Sequence, residues 1–257
     1  MTQDGLSKRI MLWSAPRCTS TLFEHAICLL PGLRGLHEPF SCAFYLGEQR
    51  GSLRYAGVPA LPGYRLDEIR AQLTGQHSGA NALFVKDMAY AIESDFTRLP
   101  DGFQHTFLIR DPRQSVVSLH KLVQSGKAPQ WSEFTPLEVG FRDLYELYNH
   151  VSCDAVQPVL VDSADLLSAP AATLSVYCEA VGLTYDNSIL TWDTATATQT
   201  WQMWGTEWYE TLMGSTGFAP PRSPRDVDLS ELPAHVRASI DEALPLYQWL
   251  HDRRLRS

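Results

Sequence analysis

Arg17, Ser20 and Thr21 follow four apolar residues, Ile10 to Trp13, within the stretch RIMLWSAPRCTSTLF that runs from Arg9 to Phe23. These types suit an anion. A guanidinium is a planar fork matched to phosphate oxygens, and two hydroxyls add donors. The same stretch shows the elements that must position them. Ile10 to Trp13 has the unbroken apolar pattern of a buried parallel strand. Leu22, Phe23, Ala26, Ile27 and Leu30 then recur at helical spacing, and Pro31-Gly32 ends the run. A strand that enters a helix through a polar turn leaves the first helical N–H groups unpaired at the positive end of the helix dipole. The expectation is a phosphate cradle built from Arg17, the N–H groups of Cys18, Thr19, Ser20 and Thr21, and the last two hydroxyls. The plainer alternative is a strand, a turn and a Ser/Thr helix cap, with Arg17 in solvent.

Three more strand ends carry charged groups. Leu33 to Leu36 runs into His37-Glu38-Pro39-Phe40, Ala82 to Val85 into Lys86-Asp87-Met88, and Gln104 to Ile109 into Arg110-Asp111-Pro112. Open α/β sheets place their ligand crevice at the carboxyl ends of the strands. Pro112 suits a first helical turn and Asp111 its cap. The helix so begun runs to Val123. Arg110 at the strand end and Ser118 two turns into that helix can reach one phosphate. The ordinary ATP-binding loop, G-x-x-x-x-G-K-[ST], is absent: no glycine stands between Leu12 and Phe23, and an arginine replaces the lysine.

Pro16-Arg17-Cys18-Thr19-Ser20-Thr21 resembles instead the 5′-phosphosulfate loop of sulfotransferases that use 3′-phosphoadenosine 5′-phosphosulfate (PAPS), in the bacterial form x-x-P-R-S-x-S-T, with Cys18 in the usual serine place. Arg110-Asp111-Pro112 with Ser118 is similar to the family's second signature, whose Arg and Ser grip the 3′-phosphate. The resemblance covers roughly residues 9–183. It implies a three-layer α/β/α P-loop nucleotide-kinase-like fold with a central parallel sheet. It also implies PAPS as co-substrate, 3′,5′-diphosphoadenosine as product, and no metal.

Lys86 matches the lysine of the family's K-T-H, while Met88 replaces its histidine. The proton-accepting role then passes to Glu38, with His37 and Asp87 as alternatives; Arg17 and Lys86 would steady charge on the sulfuryl group. The segment Ala164-Asp165-Leu166-Leu167, Pro170, Leu174 and Val181-Gly182-Leu183 resembles a further family stretch, with Ser163 where tyrosine is usual. The family's late R-K-G loop is missing, and Arg222 (or Arg225) is the substitute.

Apolar residues make up 44% of the 257-residue chain and charged residues 19%, ordinary for a globular protein. That length holds one large α/β domain, expected over 1–257, with a nucleotide-binding core at 9–183. No apolar run reaches membrane-span length, and MTQDGLSKR lacks a signal-peptide core, so a cytoplasmic protein without membrane contact is expected. Net charge −8 disfavours nucleic acid and other polyanions as partners but permits a local cationic pocket. The five scattered cysteines form no C-x-x-C or zinc spacing and read as reduced thiols. Cys18 is the exception, since a thiol at a helix start beside an arginine tends to be acidified.

Residues 184–257 form the aromatic-rich part. Trp192, Trp201, Trp204 and Trp208 are four of the seven tryptophans. The 3-4-4 rhythm of Trp201, Trp204, Trp208 and Leu212 predicts a helix whose aromatic face packs on the core or forms a lid over an apolar acceptor pocket. Trp204, Trp208, His37 and Phe40 are the expected acceptor contacts. Helices are also predicted over Ser41 to Gly47, Leu66 to Leu73, Pro136 to Val151 and Leu232 to Leu255.

The expected reaction is sulfuryl transfer to a hydroxyl or amine of a small molecule. The alternatives are an ATP/Mg-dependent small-molecule kinase and a non-catalytic nucleotide-binding protein.

Overall fold

A computed structural model describes residues 8–152, 157–194, 204–220 and 228–256. Five strands form one parallel sheet in the order β2-β3-β1-β4-β5: β1 Lys8–Ser14, β2 Leu33–His37, β3 Ala82–Met88, β4 Gln104–Ile109 and β5 Val159–Asp162. Parallel pairing puts every carboxyl end on one edge. The register sets Ser14 beside Met88 and Leu108, and His37 beside Lys86. β1 is central because its residues are apolar on both faces; Ile10 to Trp13 are wholly buried. From β1 the chain passes to the edge strand β2, returns inward to β3 beside β1, then crosses to the other side at β4. The switch point lies at the end of β1, where the phosphate turn begins.

Helix α1 (Ser20–Cys28) follows β1, α2 (Pro39–Leu46) and α3 (Leu66–Thr74) both follow β2, and α4 (Pro112–Gln124) follows β4. Then come α5 (Pro136–Val139), α6 (Phe141–Val151), α7 (Ser163–Ser168), α8 (Pro170–Val181), α9 (Glu210–Met213) and α10 (Ala234–His251). The final helix packs its apolar side on α4 and α6, where Val236, Ile240, Ala243, Tyr247 and Leu250 are buried. No helix among the described residues is long and apolar enough to cross a membrane.

Two helix expectations are corrected. Pro136 to Val151 is two helices, because Gly140 turns left-handed (φ +78°) between them. The aromatic rhythm does not make one helix. Gly205 (φ +90°) breaks it, a single 3-10 turn holds Thr206–Trp208, and α9 follows. Trp201 lies outside the described residues.

Candidate active site

The turn after β1 is tight without glycine. Arg17 and Thr19 both have φ +62°, a left-handed geometry that costs a non-glycine residue roughly 1–3 kcal/mol. Thr19 is the N-cap of α1, yet its side chain makes no capping bond. Its hydroxyl donates to the Cys18 carbonyl (2.5 Å) and pairs with Ser163 Oγ (2.7 Å). The first N–H groups of α1 therefore receive no bond from the cap side chain. Ser163 thus braces the phosphate turn.

The second cluster closes on the first. Arg17 Nε donates to Ser118 Oγ (3.2 Å), and Arg110 Nη1 donates to the Arg17 carbonyl (2.9 Å). Arg110 Nε also reaches Gln114 (3.1 Å). Asp111 caps α4 through the Arg113 N–H, as the sequence predicts. Arg17 is not a solvated surface cation. Its other guanidinium bond goes to the Trp208 carbonyl (3.1 Å), so both of these partners are neutral. Burial and the nearby Arg110 charge lower its pKa, against a smaller opposite pull from Tyr209. Two guanidinium groups held this close favour a multiply charged anion between them.

Glu38 sits on the far side of the turn, at φ +51°, as the N-cap of α2. Its N–H continues the β2–β3 ladder to the Lys86 carbonyl (2.8 Å), and its carboxylate pairs with Lys86 Nζ. Lys86 is wholly buried and ion-paired, so it is no strand-end lysine reaching for water. Burial alone would raise the Glu38 pKa; the charges of Lys86 and His37 outweigh it and hold the group below its usual range.

His37 Nδ1 lies 2.6 Å from Glu24 Oε2, while Nε2 faces Tyr209 Oη (3.0 Å) and Glu38 Oε1 (3.6 Å). Asp87 is committed to structure. It accepts from the N–H groups of Phe40 (2.6 Å), Ser41 (3.0 Å) and Met88 (2.8 Å) and from Ser41 Oγ (2.6 Å), tying α2 to β3.

A cavity of about 710 Å³ joins these groups. Arg17, Thr19, Ser20, Thr21, Arg110 and Ser118 line one half, and Glu38 lies at its inner wall. Aromatic rings line the other half. Tyr45, Tyr90, Trp131, Trp204 and Trp208 form a belt in which Tyr45 lies 5.7 Å from Trp131 and Trp131 4.9 Å from Trp208. Behind the belt, Arg54 pairs with the buried carboxylate of Glu138, which also accepts from Tyr45 Oη (3.0 Å).

Several expectations change. Cys18 is wholly buried and its thiol pKa is pushed up to about 12 by desolvation, so the acidified thiol expected from a helix start is not formed. Phe40 does not line the cavity; it is 2% exposed and its ring packs 5.9 Å from Trp13. His37 does not line it either and meets it through Tyr209 and Glu38, which do. Arg222 and Arg225 lie outside the described residues.

Sequence reasoning passed over Glu24, Tyr45, Tyr90, Trp131, Gln114 and Lys121. The last two had a signal: with Ser118 they follow an i, i+4, i+7 pattern on α4 and share the cavity face. The others come from separate elements and had none.

A profile described as "Sulfotransferase domain" matches residues 8–254. The chain belongs to this family. It is 26% identical over 258 residues to "Branched-chain-amino-acid aminotransferase-like protein 2" of Arabidopsis thaliana, covering 94% of this chain and 41% of that protein. The sulfotransferase ppzF of Metarhizium majus is 24% identical over 195 residues, 63% of this chain and 57% of the relative. The chain thus spans about two-fifths to three-fifths of these relatives' length. Among solved structures, the sulfotransferase domain of the Synechococcus PCC 7002 olefin synthase superposes with a TM-score of 0.59 at 16% identity, covering 96% of this chain and 98% of that one. The fold of the sulfotransferase-domain chain is thereby shared with a solved family member.

Proposed function

We propose that this sulfotransferase-domain protein moves a sulfuryl group from PAPS to a hydroxyl or amine of a small acceptor. One observation carries the reading: the turn after β1, Arg110 and Ser118, both bonded to Arg17, and Glu38, with the buried Lys86 paired behind it, all meet at one cavity. Arg17 and the free N–H groups of α1 would hold the 5′-phosphate. Arg110 and Ser118 would take the 3′-phosphate that distinguishes PAPS from ATP.

The transfer breaks the bond from sulfur to the 5′-phosphate oxygen and forms one from sulfur to the acceptor oxygen or nitrogen. The electron pair of the broken bond leaves on 3′,5′-diphosphoadenosine, and the acceptor's proton passes to Glu38. As in phosphoryl transfer, the protein's work is positioning and charge stabilisation. Lys86 holds Glu38 in its ionised, proton-accepting form. It reaches the sulfuryl oxygens only by exchanging Glu38 for them, which donor binding would favour.

Calorimetry without magnesium tests the reading, using 3′,5′-diphosphoadenosine, 5′-AMP and ATP on wild type and Arg110→Ala. The 3′-phosphate should tighten binding about ten- to a hundredfold in wild type and little in the variant, as for a charge-assisted hydrogen bond. Equal binding of ATP, or a requirement for magnesium, would overturn it in favour of a kinase. Nucleotide binding without sulfuryl transfer to any acceptor would leave a binding protein.

A further inference from the structure

Arg17, Arg110, Lys121 and Lys127 are the lining cations of the cavity; Lys127 is neutralised by Glu210, and Arg17 lies 6.0 Å from the Trp208 ring centre. The aromatic half is lined by Glu207 as well as by rings. Arg54, the cation behind this belt, is neutralised by Glu138, with its guanidinium 4.1 Å from the Trp131 ring centre. Glu207 is half-buried and has no hydrogen-bond or ion-pair partner among the described residues.

Gly205, at φ +90°, turns the chain just before Glu207, whose carboxylate lies beside it. The belt also holds unsatisfied donors. Trp204 is 9% exposed, and its indole N–H, like that of Trp208, meets no acceptor among the described residues.

We infer that the acceptor is a small organic cation: an ammonium group seated among the Tyr45, Trp131, Trp204 and Trp208 rings against Glu207, on a molecule that also carries the hydroxyl or amine to be sulfated. Aromatic faces attract ammonium ions, and a nearby unpaired carboxylate completes the charge. A net charge of −8 steers cations towards the protein. This rests on reading the aromatic half as the acceptor's place.

The test titrates tyramine and 4-propylphenol, the same phenol with and without its ammonium, into the full chain at pH 7 by calorimetry. It is run with and without saturating 3′,5′-diphosphoadenosine, so a failure of the donor reading shows separately as absent nucleotide binding. Tyramine should bind about tenfold or more tightly than 4-propylphenol. Glu207→Gln should remove that preference and leave 4-propylphenol and nucleotide binding unchanged. Equal binding of the two phenols, a preference that survives Glu207→Gln, or binding of neither would overturn the inference.

Discussion

Arg17 Nε and Ser118 Oγ lie 3.2 Å apart although 101 positions separate them in the chain. The bond joins the turn after β1 to the second turn of α4, and Arg110 reinforces it by donating to the Arg17 carbonyl. The two clusters are thus joined into one unit, which would reduce the ordering cost of binding an anion there.

If Ser118 serves the 3′-phosphate, Ser118→Ala should weaken 3′,5′-diphosphoadenosine about five- to tenfold and 5′-AMP much less. Lys121→Ala, one turn further along the same face, should act in the same direction, more so at low salt. Equal losses for the two nucleotides, read by calorimetry, would move the 3′-phosphate elsewhere.

Glu38 gives a pH signature. Burial raises its pKa, but Lys86 and His37 prevail and the group is held below the usual glutamate range. A base works in its ionised form, so kcat/KM should fall only as the pH drops below that range. Lys86→Met removes the main opposing charge and leaves burial, so the acid limb should move towards neutral pH. Glu38→Gln should cost roughly 10²–10⁴ in rate with nucleotide affinity kept. An acid limb that stays put in Lys86→Met would show that another group titrates, His37 being next in line.

Asp87 yields a stability prediction. Burial and the Glu38 charge push its pKa up to about 7, against the bonds from Ser41, Met88 and Phe40. The ordinary value is 3.8, so the folded state holds this proton more tightly than the unfolded chain. The contribution is fully present below pH 3.8 and is lost as pH rises towards 7. Asp87→Asn cannot titrate. The Tm difference between wild type and Asp87→Asn should therefore move against wild type across that window, as thermal melts can read. A difference that does not change with pH would mean that the hydrogen bonds keep Asp87 ionised.

The strand, turn and helix around Arg17, the strand that ends at Arg110 with its Asp111-capped helix, and the succession of five strands along the chain were legible because their signals are local: an apolar run, a polar turn, then helical spacing. Lys86 was legible as a strand end, but its pairing with Glu38 depends on the β2–β3 register. Cys18 was misjudged because helix position argues for acidity, whereas complete burial reverses it. Phe40 was misjudged because the turn at Glu38 directs the next ring towards Trp13. The aromatic belt was only half legible, since Tyr45, Tyr90 and Trp131 reach it from three separate elements.

Gly140 is where helix geometry and the site meet. Apolar spacing runs unbroken from Leu137 to Tyr148, yet φ +78° at Gly140 divides α5 from α6. A β-carbon there would lie 3.1 Å from Pro16 Cδ, 3.3 Å from Tyr90 Cδ1 and 3.4 Å from Ala15 Cα. The glycine therefore lets the α5–α6 junction press on the phosphate turn. Gly140→Ala combines left-handed strain with that crowding and should destabilise by roughly 1–2 kcal/mol. Since Pro16 precedes Arg17, nucleotide affinity should fall with stability. Surface Gly102→Ala, also at positive φ but with nothing within 4 Å, is the control. It should lower Tm through strain alone and leave nucleotide affinity at the wild-type value. Equal affinity in both variants would show that the turn does not depend on this junction.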